Sequence, residues 1–184
     1  MSENFDLKTA LRHVESDSFE EQAAGLDEAT ALLNAFGKRV VDRFVHCNDR
    51  FIIWERLYRF GPFVTEPLKE VLSQTDDPEL RGLSAMVLLK LGDKTGLPVL
   101  LEIISTGEEL LCLAASRLIE AHIIEAADRM IERLRGLEMA KTYHIQCLLA
   151  ALERLGRALP SDLVERFHAP DVPWELRMFL EKHS

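Results

Sequence analysis

A helix–glycine–helix unit that recurs about every 30 residues is the feature that most constrains how this chain folds. Leu97, Leu100, Leu101 and Ile104 stand at i, i+3, i+4 and i+7, and a shift of 30 residues turns them into Ala127, Met130, Ile131 and Leu134. The segment before them repeats too, Ala85, Leu88 and Leu91 becoming Ala115, Leu118 and Ala121. Its ending returns as Leu33, Phe36, Gly37, as Leu57, Phe60, Gly61, and as Leu152, Leu155, Gly156; in one copy His122 takes the glycine's place. A pair of short helices cannot bury its own apolar stripe, so such units are stable only when stacked. No segment alternates with the period of two that a half-buried strand needs, and Ile52-Ile53 and Ile123-Ile124 lack flanking alternation.

The period divides the chain into five helical hairpins, about 17–47, 48–75, 76–106, 107–136 and 137–169. A leading helix over about 4–15 and a trailing helix over about 173–182 cap the ends. Asp77-Pro78 opens the third hairpin as an N-cap followed by proline at the first helical position, and Leu91-Gly92-Asp93 closes its first helix. Pro170 and Pro173 separate the trailing helix from the rest. Glu3, Asp6, Lys8, Arg12 and Glu15 give the leading helix a polar outer face, and Trp174 is expected to seal the last repeat. The length of 184 residues suits one domain, 1–184.

Charge narrows the partners. Lys and Arg total 22 against 31 Asp and Glu, a net charge of -9, which opposes a bulk grip on nucleic acid or anionic lipid. No apolar run approaches the ~20 residues of a membrane span, and the acidic N-terminus has no signal-like apolar region. Cys47, Cys112 and Cys147 are three in number and widely spaced, which suits reduced thiols and a cytoplasmic location.

Residues 77–104, DPELRGLSAMVLLKLGDKTGLPVLLEII, resemble a short bacterial HEAT repeat in Asp77-Pro78, Arg81, Ala85, Leu88, Leu91-Gly92-Asp93 and the Leu97/Leu100/Leu101 stripe. Residues 107–156 match more loosely, and 17–75 by period and glycine stops alone. The resemblance implies an all-α, right-handed α-solenoid of about five stacked hairpins, curved, with second helices lining its concave face. Such folds mostly bind other macromolecules, although fold does not fix function.

Signatures of catalysis are missing from the sequence. It has no glycine-rich phosphate loop, no G-x-S-x-G elbow, no H-E-x-x-H and no C-x-x-C, and none of its six histidines is followed by Glu. His144 and Cys147 share a helix face, and Cys112 lies where it can approach them. A metal needs three or four convergent ligands, so packed thiols are the expectation there and at His46-Cys47, with no cofactor and no metal.

The register of the third repeat places Val99, Glu102 and Ile103 opposite the core stripe. The same line carries Arg129, Glu132 and Arg133 in the next repeat, Glu70 and Gln74 in the one before, and Arg43 near it in the first. This ridge of mixed charge is the expected partner-binding surface, with Arg133 and Arg129 as anchors that stability does not need. One basic cluster breaks the acidic trend: Lys38, Arg39, Arg43, Arg50, Arg56 and Arg59 against Asp42, Asp49 and Glu55. It reads as a patch for an anionic partner, or as a solvated face paired with the first 36 residues, which carry 8 acidic and 2 basic side chains.

The expected function is therefore non-enzymatic protein binding by a HEAT-like solenoid, as an adaptor or inhibitor. A small acidic protein of this kind resembles the stand-alone immunity proteins that neutralise bacterial toxins. The competing class is a chromophore-lyase-like or nucleic-acid-binding HEAT protein.

Overall fold

Helix is the only regular secondary structure among the described residues, which in this computed structural model are 7–183. By the packing of its helices the chain divides into two compact units, one ending at Ser73 and the other beginning at Gln74. No helix among the described residues is long and apolar enough to cross a membrane. Of the expected leading cap, Glu3 and Asp6 lie outside the described residues.

In the first unit, α1 (Leu7–Val14) packs on α2 (Phe19–Val45). Ser18 caps α2, its side chain accepting from the Glu21 N–H. His13 and Glu28 join the two helices through Nδ1 and Oε2, 3.2 Å apart. The expected hairpin over 17–47 is absent: α2 is one helix of 27 residues that runs through Gly37. Gly37 is buried, and a Cβ there would fall on the backbone carbonyl of Phe63. This glycine admits a neighbouring backbone to close approach and ends nothing. After α2 come α3 (Arg50–Leu57), a 3-10 segment (Tyr58–Val64) kinked at Gly61, and α4 (Thr65–Gln74).

The second unit holds α5 (Pro78–Lys90), α6 (Leu97–Thr106), α7 (Leu111–Glu120), α8 (Ala126–Gly136), α9 (Thr142–Arg154), α10 (Ser161–Phe167) and α11 (Trp174–His183). Asp77 caps α5 by accepting from the Glu79 and Leu80 N–H groups at 3.0 and 3.1 Å, with Pro78 in the first turn. Every residue from Gly82 to Leu89 is buried, so α5 is enclosed on all sides and has no solvent face there. α7 packs on α5 and α9 on α7, while α8 packs on α6. The repeated stripe supplies the core: Leu88, Leu100, Ile104, Leu118, Met130 and Leu134 are fully buried, although Leu97 and Leu101 remain half-exposed.

The stop signal is the same turn three times. Asp93 N–H donates to the Leu88 carbonyl and Gly92 N–H to that of Leu89, at 2.9 and 3.0 Å. Ile123 and His122 do the same to Leu118 and Ile119, and Arg157 and Gly156 to Leu152 and Glu153. This is the Schellman pattern, which needs a left-handed residue at its centre. Gly92 has φ 87°, Gly156 φ 66°, and His122, the non-glycine of the set, φ 54°. At the far end the expectation for Trp174 is overturned. Its side chain is 67% exposed, and Leu176, two residues on, is the one that is buried. An indole projecting at the first turn of α11 finds solvent, because the inward face of that helix falls on Leu176.

Two stability measurements check this account. His122→Gly removes the left-handed penalty of a side chain and is expected to raise unfolding free energy by about 1 kcal/mol in urea titration. Leu88→Ala is expected to cost about 2–5 kcal/mol, and Leu101→Ala clearly less, because only the first is fully buried.

Candidate functional site

Four of the nine expected ridge residues, Ile103, Arg129, Glu132 and Arg133, are engaged within the fold. On α6, Glu102 is exposed, while Val99 and Ile103 are half-buried. The Ile103 Cδ1 sits 2.9 Å from where a Cβ on Gly82 would be, so this side chain packs over α5. On α8, Arg129, Glu132 and Arg133 share a shallow concavity of ≈ 490 Å³ with Ser105, Asp128 and Gly136. Glu70 and Gln74 are exposed on α4, and Arg43 is exposed on α2.

Within that concavity the arginines tie α8 to the end of α6. Arg133 Nη1 donates to the Ser105 carbonyl and Nη2 to the Gly107 carbonyl, both at 3.2 Å. Arg129 Nη1 donates to the Ser105 hydroxyl at 3.3 Å. The last carbonyls of a helix have no intrahelical partner, so Arg133 satisfies the end of α6. Arg166 repeats the device one helix on, donating to the carbonyls of Leu134, Arg135 and Leu137 at the end of α8. Sequence spacing identified Arg133 as outward-facing and could not show that its long side chain reaches back to the preceding helix. The expectation that it serves binding without serving stability is displaced by this geometry.

The acidic groups nearby are paired as well. Arg157 bonds Asp128 at 2.7 Å and Lys141 bonds Glu108 at 2.8 Å. Arg135 contacts Glu132 and holds Asp162 at 2.7 Å. The hydrogen bond from Arg135 keeps the Asp162 carboxyl below the usual carboxylate range, and that from Lys141 does the same for Glu108. Arg135–Glu132 lies within α8, whereas the Arg157–Asp128, Lys141–Glu108 and Arg135–Asp162 pairs join segments about 30 residues apart, and exposed pairs of this kind contribute roughly 0–1 kcal/mol each.

Cys112 on α7 and Cys147 on α9 are joined in a disulfide, their Cα atoms 5.6 Å apart. This corrects the expectation of three reduced thiols: stacking α9 on α7 brings two half-buried sulfurs from adjacent repeats together. Cys47 is the free one. Persistent disulfides are rare in reducing compartments, so the cysteine count no longer supports a cytoplasmic location. With both sulfurs bonded to each other, His144 has no thiolate partner there. Among the described residues no group of three His, Cys, Asp or Glu is placed to hold a metal.

The surface that stands apart lies in the first unit. Phe36, Arg39, Val40 and Arg43 of α2, with Ile52, Ile53 and Arg56 of α3 and Phe60 of the 3-10 segment, line a groove of ≈ 570 Å³. Its floor is apolar. The Phe36 and Phe60 rings meet at 5.8 Å between centroids, and Phe36 and Ile52 are 53% and 59% exposed. Three arginines rim it. Arg56 Nη1 donates back to the Ile52 carbonyl at 2.8 Å, whereas Arg39 and Arg43 make no hydrogen bond or ion pair with any described residue. Among the described residues, the expected acidic pairing of this cluster is not made at Arg39 and Arg43. The sequence showed the basic cluster and the Ile52-Ile53 pair separately. Their convergence depends on α2 continuing past Gly37, which periodicity hid.

Comparison with protein-family models, with curated proteins and with solved structures finds no match.

The reassignment of Arg133 is checked by unfolding. Arg133→Ala is expected to lower stability by about 1–3 kcal/mol, the usual cost of losing hydrogen bonds from a charged donor to part-buried carbonyls. Arg43→Ala, at an unpaired exposed site, is expected to change it by less than about 0.5 kcal/mol.

Proposed function

We propose that this chain is a non-enzymatic protein-binding protein built as a HEAT-like α-solenoid, an adaptor or an inhibitor of the kind represented by toxin-immunity proteins. The repeated Schellman stops and the arginine ties from α8 to α6 and from α10 to α8 support the repeat architecture. The observation that carries the function is the groove of the first unit. Contiguous apolar side chains kept in water, rimmed by polar groups, mark an interaction site rather than a random patch. Interfaces of this composition, aromatic and aliphatic at the centre with Arg around them, match the anatomy of protein–protein contacts.

The surface expected from the repeat register and the surface the geometry favours are different. Arg43 alone is common to both. The candidate interface is therefore Phe36, Arg39, Arg43, Ile52 and Arg56, and the ridge of α6 and α8 serves cohesion.

Affinity capture from an extract of the source cells, with mass spectrometry of what is retained, tests this. A protein retained by the wild type and lost with Ile52→Asp is expected. Ile52 is exposed, so the helical signal and melting temperature of the variant should match the wild type. Retention that is indifferent to Ile52→Asp removes the groove, the observation that carries the function, and overturns the reading.

A further inference from the structure

Resting on that protein-binding reading, we infer that the occupant of the groove is an acidic amphipathic helix of another protein, seated on the α2–α3 surface of the first unit. Two properties of the groove select it. The first is charge. Among the described residues, Arg39 and Arg43 stand unpaired at the rim, with Arg56 opposite on α3, in a chain whose net charge is -9. An unpaired guanidinium is a ready fork for a carboxylate, and a partner that brings carboxylates completes two such pairs, at Arg39 and Arg43, while Arg56 already donates to the Ile52 carbonyl.

The second property is shape. The α2 wall runs from Phe36 to Arg43. At about 1.5 Å per residue that is roughly 10 Å, the length over which a bound helix sets down anchors at i, i+3, i+4 and i+7. The floor that receives those anchors is Phe36, Val40, Ile52, Ile53 and Phe60, all apolar. A nucleic acid would use the arginines and leave this floor uncovered, since its grip rests on phosphates. A helix whose apolar face fills the floor while flanking Glu or Asp meet the rim satisfies both features together. Opposite charge also speeds the encounter, so binding should weaken as salt rises.

A second copy of this chain is the competing occupant, because the N-terminal half of α2 is itself acidic and exposes Phe19 and Leu26. The two are separable by mass. Light scattering on the full chain is expected to give a monomer; a dimer that Ile52→Asp dissociates overturns the proposal.

The direct test uses two fluorescent amphipathic peptides with Leu at i, i+3, i+4 and i+7, identical except that one is flanked by Glu and the other by Lys, titrated with the full chain. The Glu peptide is expected to bind at least tenfold more tightly than the Lys peptide. The double variant Arg39→Glu, Arg43→Glu should invert that preference, and Ile52→Asp should abolish binding of both. Circular dichroism and melting serve as the folding control, all three residues being exposed. Equal binding of the two peptides, or displacement of the Glu peptide by poly(U) RNA, overturns the proposal. If that happens while Ile52→Asp still releases a captured protein, the acidic-helix occupant falls and the protein-binding reading stands. If capture is indifferent to Ile52→Asp, the reading itself falls.

Discussion

Short helices have too many ends, and the way this chain satisfies them organises everything else. A helix leaves its last four carbonyls without partners. With second-unit helices of 7 to 13 residues, such as α10 and α5, those carbonyls are a large share of the backbone. The first helix of each pair closes its own end with a left-handed residue, at Gly92, His122 and Gly156. For α6 and α8, second helices, the end is closed from outside, by Arg133 and Arg166. The donor comes from the following repeat, so satisfying one helix end also fixes the position of the next helix. Stacking and capping are the same act here.

That economy explains which parts were legible in the sequence. The Schellman stops are local: an apolar residue, a glycine and a reversed chain lie within five positions, so Leu88 to Asp93 announces itself. His122 shows that the turn, and not the glycine, is what recurs, because its neighbours make the same hydrogen bonds at φ 54°. Gly37 misleads for the opposite reason. Its surroundings look like a stop, Leu33 and Phe36 preceding it, but the absence of a side chain is used by Phe63, a residue 26 positions away. Nothing local distinguishes a glycine that turns the chain from one that lets another segment approach.

The candidate site divides along the same line. Helical period correctly puts Arg129, Glu132 and Arg133 together, since three residues within one turn and a quarter must share a face. Period says nothing about where a long side chain ends. Arg133 and Arg43 are equivalent as letters, yet one guanidinium is spent on two carbonyls and the other is free of partners among the described residues. The Cys112–Cys147 bond was out of reach for a related reason: a separation of 35 residues becomes a Cα distance of 5.6 Å only once the repeats are stacked.

The distribution of charge then acquires a meaning that net charge alone conceals. In the second unit, basic side chains such as Arg135, Lys141 and Arg157 face acidic partners in neighbouring repeats. Each pair is weak in water, so their value lies in register, since a slipped repeat would place like charges opposite one another. In the first unit Arg39 and Arg43 of α2 face no such partner among the described residues and border an apolar floor. A guanidinium bonded within the fold must lose that bond before it can meet a ligand. Arg39 and Arg43 have no bond to any described residue to lose, and the apolar surface beside them gains by being covered. Both terms favour an incoming acidic, apolar surface at this place, and the first does not apply at the ridge, where Arg133 already closes the end of α6 and Arg129 is bonded to the Ser105 hydroxyl.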